Sequence, residues 1–99
     1  MPGSRIANDL HARLVKLDLT YEDLPRLCPP GMQVSTRTVR DLANGRRFGD
    51  RRSWERIRAA LNAHLKSNAY DLEDIIGESY YEYVRHWVGA PSRKQSPTD

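Results

Sequence analysis

Eight arginines and not one lysine lie between Arg37 and Arg58 of this 99-residue chain, with only Asp41, Asp50 and Glu55 to offset them. A guanidinium is planar and permanently charged, and its fork of N–H groups can hold a phosphate or the edge of a guanine by two bonds at once. A run built only from arginine suits nucleic acid better than a solvated surface, although a solvated basic face would carry the same charge. Four of the eight, Arg46, Arg47, Arg51 and Arg52, flank Phe48-Gly49 in "RRFGDRR", which reads as a basic loop. With little acid beside them, they are candidate phosphate contacts.

The overall net charge of +3 conceals a split. Residues 1–66 hold 13 Lys/Arg against 7 Asp/Glu, net +6, whereas residues 67–99 hold 3 against 6, net −3. The two parts therefore call for different partners, a polyanion for the first and a protein surface for the second. Other chemistries find no support. His11, His64 and His86 are scattered, Cys28 is the lone cysteine, and no nucleophile stands with an orienting base, so no enzyme activity, metal site or cofactor is expected. Cys28 reads most simply as a small buried hydrophobe. The chain has no apolar run near the roughly 20 residues that span a bilayer, and "MPGSRIANDL" lacks the apolar stretch of a signal peptide, so a cytoplasmic, nucleoid-associated location is expected.

Helices must position these side chains, and the apolar spacing marks them. Ile6, Leu10, Leu14 and Leu17 predict a first helix over residues 5–17 with Ser4 as its cap and Ile6, Leu10 and Leu14 as its core face. Thr20 is the expected cap of a short second helix, with Glu22 and Asp23 in its first turn, where Pro25 costs little if the helix starts a residue or two late. "CPPGMQV" is a connection, since its prolines and glycine disfavour a helix. Ser35 or Thr36 caps a third helix with Val39 and Leu42 inward, Thr36, Arg37, Arg40 and Asp41 off that face, and Asn44-Gly45 as its stop. Ser53 is the expected cap of a fourth helix carrying Trp54, Ile57, Leu61 and Leu65, and Ala60 adds to its buried face. A fifth segment, "DLEDIIGESYYEYVRHWV", carries a wide apolar stripe interrupted at Gly77, which marks a bend or a close helix contact. The tail "APSRKQSPTD" is expected to be disordered.

"LDLTYEDL" followed by "VSTRTVRDLANGRR" resembles the lambda-repressor-like, or Xre-type, helix-turn-helix family, over about residues 6–65. The resemblance implies an all-α, four- to five-helix DNA-binding domain with its third helix in the major groove, here followed by an additional amphipathic helix. It implies that Ser35, Thr36, Arg37, Arg40 and Asp41 read bases. It further implies that Tyr21, Asn44, Gly45, Arg46 and Arg47 touch phosphate, and that Val39 and Leu42 are the buried pair of the recognition helix. This chain departs from the family in "PPGMQ", which lengthens the turn before that helix by about four residues, and in Pro25, which stands where a small residue is usual.

The division expected is therefore a DNA-binding unit over 1–66, a C-terminal helix over 67–89 that serves dimerisation or core packing, and a tail over 90–99. Ile76, Tyr80, Tyr83, Val84 and Trp87 offer more apolar surface than one small domain needs, and are the candidate homodimer interface. On that reading, truncation before Asp71 leaves a folded monomer that binds its operator weakly. The functional expectation is a sequence-specific regulator acting on a short palindrome in double-stranded DNA. The alternative is a helix-turn-helix scaffold that acts through protein binding, such as an antiactivator or antitoxin, by way of the acidic C-terminal helix.

Overall fold

In the computed structural model, which describes residues 6–89, every regular element is helical. The order is α1 (Leu10–Lys16), α2 (Asp23–Leu27), α3 (Thr36–Ala43), α4 (Arg51–Leu65), α5 (Leu72–Ile76), a 3-10 turn (Gly77–Ser79) and α6 (Tyr80–Gly89). The all-α expectation holds at that level. Ser4 and the tail from residue 90 onward lie outside the described residues.

The inward residues of α1, α3 and α4 are those the spacing marks, with three exceptions. Leu10, Leu14, Val39, Leu42, Trp54, Ile57, Ala60 and Leu61 are buried, while Ile6, Leu17 and Leu65 are half-buried. Ile6 is not helical at all. Its backbone N–H donates to the Gly45 carbonyl at 2.9 Å, so residues 6–8 run beside the end of α3, and α1 begins only at Leu10. Asn8 explains that late start: its Oδ1 accepts the Leu10 N–H at 3.0 Å, satisfying one of the unpaired donors at a helix N-terminus. The same side chain donates through Nδ2 to the Leu42 carbonyl at 2.7 Å and to the Tyr83 hydroxyl at 3.1 Å, tying α1, α3 and α6 together.

Two other helix starts also differ from expectation. Thr20 does not cap α2 directly. Its backbone N–H donates to Asp23 Oδ2 at 2.8 Å, and a turn at residues 21–22 precedes a helix that starts at Asp23. Those bonds from the Thr20 backbone and hydroxyl hold the Asp23 carboxyl below its ordinary pKa. Pro25 is then the third helical residue, where its missing N–H would have had no partner anyway. In α4 the cap is Asp50 rather than Ser53: the Asp50 side chain accepts the Ser53 N–H at 2.9 Å, so Arg51 and Arg52 belong to the first helical turn and not to a loop.

Asp50 carries a testable consequence. Partial burial pushes its carboxyl pKa up, but the hydrogen bonds from Ser53 outweigh that and hold it below the ordinary value. A depressed carboxylate stabilises the fold above its unfolded pKa and loses that contribution as pH falls through the folded value. Asp50→Ala is therefore expected to cost about 1 kcal/mol at neutral pH, the usual worth of an N-cap. The gap between variant and parent should narrow in denaturant titrations as pH falls through the carboxylate range; a gap independent of pH would rule the ionised cap out.

The expected fifth segment is divided. Gly77 adopts φ +85°, a region that favours glycine, and a Cβ there would strike the Asp9 carboxylate. The chain turns at that point, so α5 and α6 can both pack inward. Leu72, Ile75, Ile76 and Tyr83 join the same core as the residues of α1 to α4, and a boundary after residue 66 does not divide it. Asn62, the one buried polar residue among those described, exchanges two 3.0 Å bonds with the backbone of Tyr70 and pins the α4–α5 connection.

Candidate nucleic-acid interface

Ser35 sets the start of α3. Its hydroxyl accepts the Thr38 N–H at 3.1 Å and sits 3.0 Å from the Thr38 hydroxyl, so it is committed to the cap rather than free to read a base. With Val39 and Leu42 inward, helical geometry turns Arg37 and Arg40 outward. Both are exposed, and neither makes an ion pair among the described residues. Thr36 is half-buried beside them.

The connection that precedes α3 runs from Cys28 to Ser35 and is fastened at three points. The Cys28 thiol donates to the Leu24 carbonyl at 3.3 Å, Val34 is buried in the core, and Arg56 Nη1 donates to the Gln33 carbonyl at 2.9 Å. Cys28 is half-buried and not buried as expected, and that partial burial pushes its thiol pKa up. Arg56 is a structural strut that spacing could not distinguish from its basic neighbours.

Asp41 differs from its expected role. Its side chain, only 20% exposed, lies 3.8 Å from Arg46 and 4.0 Å from Arg47, so it faces the loop arginines and not the ground in front of Arg37 and Arg40. Gly45 differs too. It is buried at φ +69°, its N–H donates to the Leu42 carbonyl at 3.1 Å, and a Cβ would come within 2.5 Å of the Ile6 carbonyl oxygen. With its donor turned inward, Gly45 is a packing residue and not a phosphate contact. Asn44, half-buried, closes α3 by donating its N–H to the Arg40 carbonyl at 3.0 Å.

Beyond it, the basic stretch is anchored by aromatic rings. Trp54 Nε1 donates to the Phe48 carbonyl at 2.7 Å, and Trp87 Nε1 donates to the Gly49 carbonyl at 2.9 Å. The Phe48 ring meets Tyr83 edge-on at 4.9 Å and stacks on His86 at 4.3 Å. Fixing Phe48 and Gly49 in this way holds Arg46 and Arg47 on one side and Arg51 and Arg52 on the other, all four exposed. They are less bare than the sequence suggests, because Asp41 stands by the first pair and Glu55 accepts from Arg51 at 3.1 Å. Exposed pairs of this kind are weak, so a phosphate can displace them. Tyr21, on the turn before α2, is half-buried, and its hydroxyl shares a 3.0 Å hydrogen bond with His11 Nδ1.

The candidate interface residues of the C-terminal segment divide in two. Ile76 and Tyr83 are completely covered by their own chain, which corrects their assignment to a dimer surface. Burial also pushes the Tyr83 phenol pKa up, against the smaller opposite effect of the Asn8 bond, so the Tyr83 hydroxyl stays protonated within the core. Tyr80, Val84 and Trp87 are half-buried, and the large apolar side chains of α6 that are exposed are Tyr81 and Val88.

Comparison with protein-family models, curated proteins and solved structures finds no match to this chain. Among the described residues no helix is long and apolar enough to cross a membrane, and no three His, Cys, Asp or Glu side chains are grouped to hold a metal ion.

Proposed function

We propose that the protein is a sequence-specific regulator that binds double-stranded DNA as a homodimer, with α3 in the major groove of each half of a short palindrome. The observation that carries this reading is the pairing of two features on adjoining segments. One is a short helix presenting Arg37 and Arg40 outward without ion pairs among the described residues; the other is an aromatic-anchored turn holding four more exposed arginines directly after it. The first offers base-reading forks, the second phosphate contacts that set the register. Thr36 completes the base-reading group, and Tyr21 and Asn44 supplement the phosphate contacts. The lambda-repressor-like resemblance supports the same docking.

A second reading has an observation of its own. Tyr81 and Val88 are exposed on α6, in the net-negative part of the chain after residue 66, a surface that suits a protein partner, so the chain could serve as a helix-turn-helix scaffold for an antiactivator or antitoxin. Retention on duplex DNA across a salt series separates the two, because only the DNA reading demands a steep loss of affinity with salt.

Arg37→Ala tests the proposal at one side chain. The exposed position predicts an unchanged fold and a loss of roughly 1–3 kcal/mol of discrimination at one base pair. Binding measured on a panel of singly substituted operators would show it. Equal weakening on every sequence would make Arg37 a phosphate contact instead.

A further inference from the structure

We propose that His86 is a proton-dependent phosphate contact, which carries the DNA interface from the basic turn onto α6. This rests on the DNA-binding reading above and adds to it a contact that pH controls. A groove of about 680 Å³ lies between α3, the basic turn and α6, with Thr38, Arg47, Ser53, His86 and Trp87 among its walls. The Phe48 stack and the Trp87 bond to the Gly49 carbonyl fix this end of α6 on the turn. His86 is thus held in position, yet it is exposed, and unlike His11 it makes no hydrogen bond or ion pair among the described residues. A strand held by Arg46 and Arg47 is brought to the mouth of this groove, because Arg47 belongs to both. Two hydroxyls there can add bonds to a phosphate oxygen. Thr38 accepts from the Ser35 hydroxyl at 3.0 Å and so keeps its own proton to donate, while Ser53 gives Asp50 only its backbone N–H.

The charges around the ring make its proton decisive. The charged residues that line the groove are Arg47 and Asp50, which offset each other, and Asp41 stands 4.0 Å from Arg47. A smaller hollow shared by Phe48 and His86 carries Glu82, one turn back along α6, and Arg85, again one acid and one base. From α3 the groove receives only the uncharged Thr38. A phosphate gains little in a groove without net charge, whereas an imidazolium makes the groove positive and offers a second N–H donor. Imidazole is the side chain that is uncharged at pH 8 and gains its charge as pH falls toward 5. A contact made only by the protonated ring takes up a proton on binding, so it is present at low pH and lost as pH rises.

Binding of the full chain to a random-sequence duplex, measured by fluorescence anisotropy over a salt series at pH 6 and at pH 8, tests the proposal. The slope of log K against log salt is expected to be steeper at pH 6 by about 0.9 for each bound copy, which is about eightfold in affinity per copy at 0.1 M salt. His86→Gln should show the shallow slope at both pH values. His86→Arg, with its permanent charge, should show the steep slope at both. A ring that served only to pack on Phe48 would give no such contrast, since both variants remove it. Should His86→Gln lose its helicity by circular dichroism, His86→Arg still decides, because a pH difference retained in it would overturn the proposal. Equal slopes for the parent chain at the two pH values, or a difference that persists in folded His86→Gln, would overturn it too and leave the DNA reading standing. A parent chain with no salt-dependent binding to any duplex would overturn both.

Discussion

Ending the chain before Asp71 is expected to unfold the protein, not to leave the folded monomer that the amphipathic pattern alone suggests. The deletion removes Leu72, Ile75, Ile76 and Tyr83, four of the fourteen buried apolar residues among those described. At about 1.5–3 kcal/mol for each large apolar side chain buried, the gross loss is on the order of 6–12 kcal/mol. A domain of this size has a total stability of about 5–15 kcal/mol. Polar losses add to this: Asn8 loses the Tyr83 hydroxyl, Asn62 keeps Tyr70 only at a fraying end, and the 2.9 Å anchor from Trp87 to the Gly49 carbonyl disappears. Far-UV circular dichroism should show most helicity gone, with no cooperative melting transition. A truncated chain that retains a cooperative transition would mean that α1 to α4 form a sufficient core.

Replacing Arg46, Arg47, Arg51 and Arg52 together with alanine is expected to weaken binding to all duplexes alike and to flatten its dependence on salt. Each phosphate neutralised contributes about 0.9 to the slope of log K against log salt, so the slope should fall by about 3 to 4 for each bound copy, about 7 for the dimer. The fold should survive, because all four side chains are exposed and the one close pair among them, Arg51 with Glu55, is a surface i,i+4 pair worth about 0.3–0.5 kcal/mol. The change in slope also separates phosphate contact from base reading. Loss of preference among sequences with the slope unchanged would move these arginines into the base-reading group, and no change in either would leave them as solvated surface.

Local rules made the central helices legible. Val39 with Leu42, and Trp54 with Ile57 and Leu61, follow helical periodicity, and the outward placement of Arg37 and Arg40 follows from it. Helix starts were less legible, because the caps lie with Asn8 and Asp50, residues equally at home in loops, and the competing choices Ser4, Thr20 and Ser53 obey the same local preference. Gly77 was readable as an interruption, but the partner that requires it, the Asp9 carboxylate, is 68 residues away in sequence. The site divides along the same line. Exposure of the arginines could be read from the pattern, whereas the burial of Gly45 depends on the Ile6 backbone and the turn of Asp41 toward Arg46 and Arg47 depends on how the chain leaves α3. The inward stripe of the last segment was visible as apolar, yet periodicity cannot say whether such a stripe meets its own domain or another copy. Ile76 and Tyr83 meet their own domain.

Selection of bound sequences from a pool of random duplexes tests the DNA-binding claim most directly. The account predicts enrichment of a two-fold palindrome with half-sites about one helical turn apart, centre to centre, as two copies each presenting α3 require. It further predicts that Arg37→Ala relaxes the selected sequence at symmetric positions in both halves. A pool that emerges unenriched, from protein shown to be folded and at low salt, would contradict the account and leave the arginine-rich face to another partner.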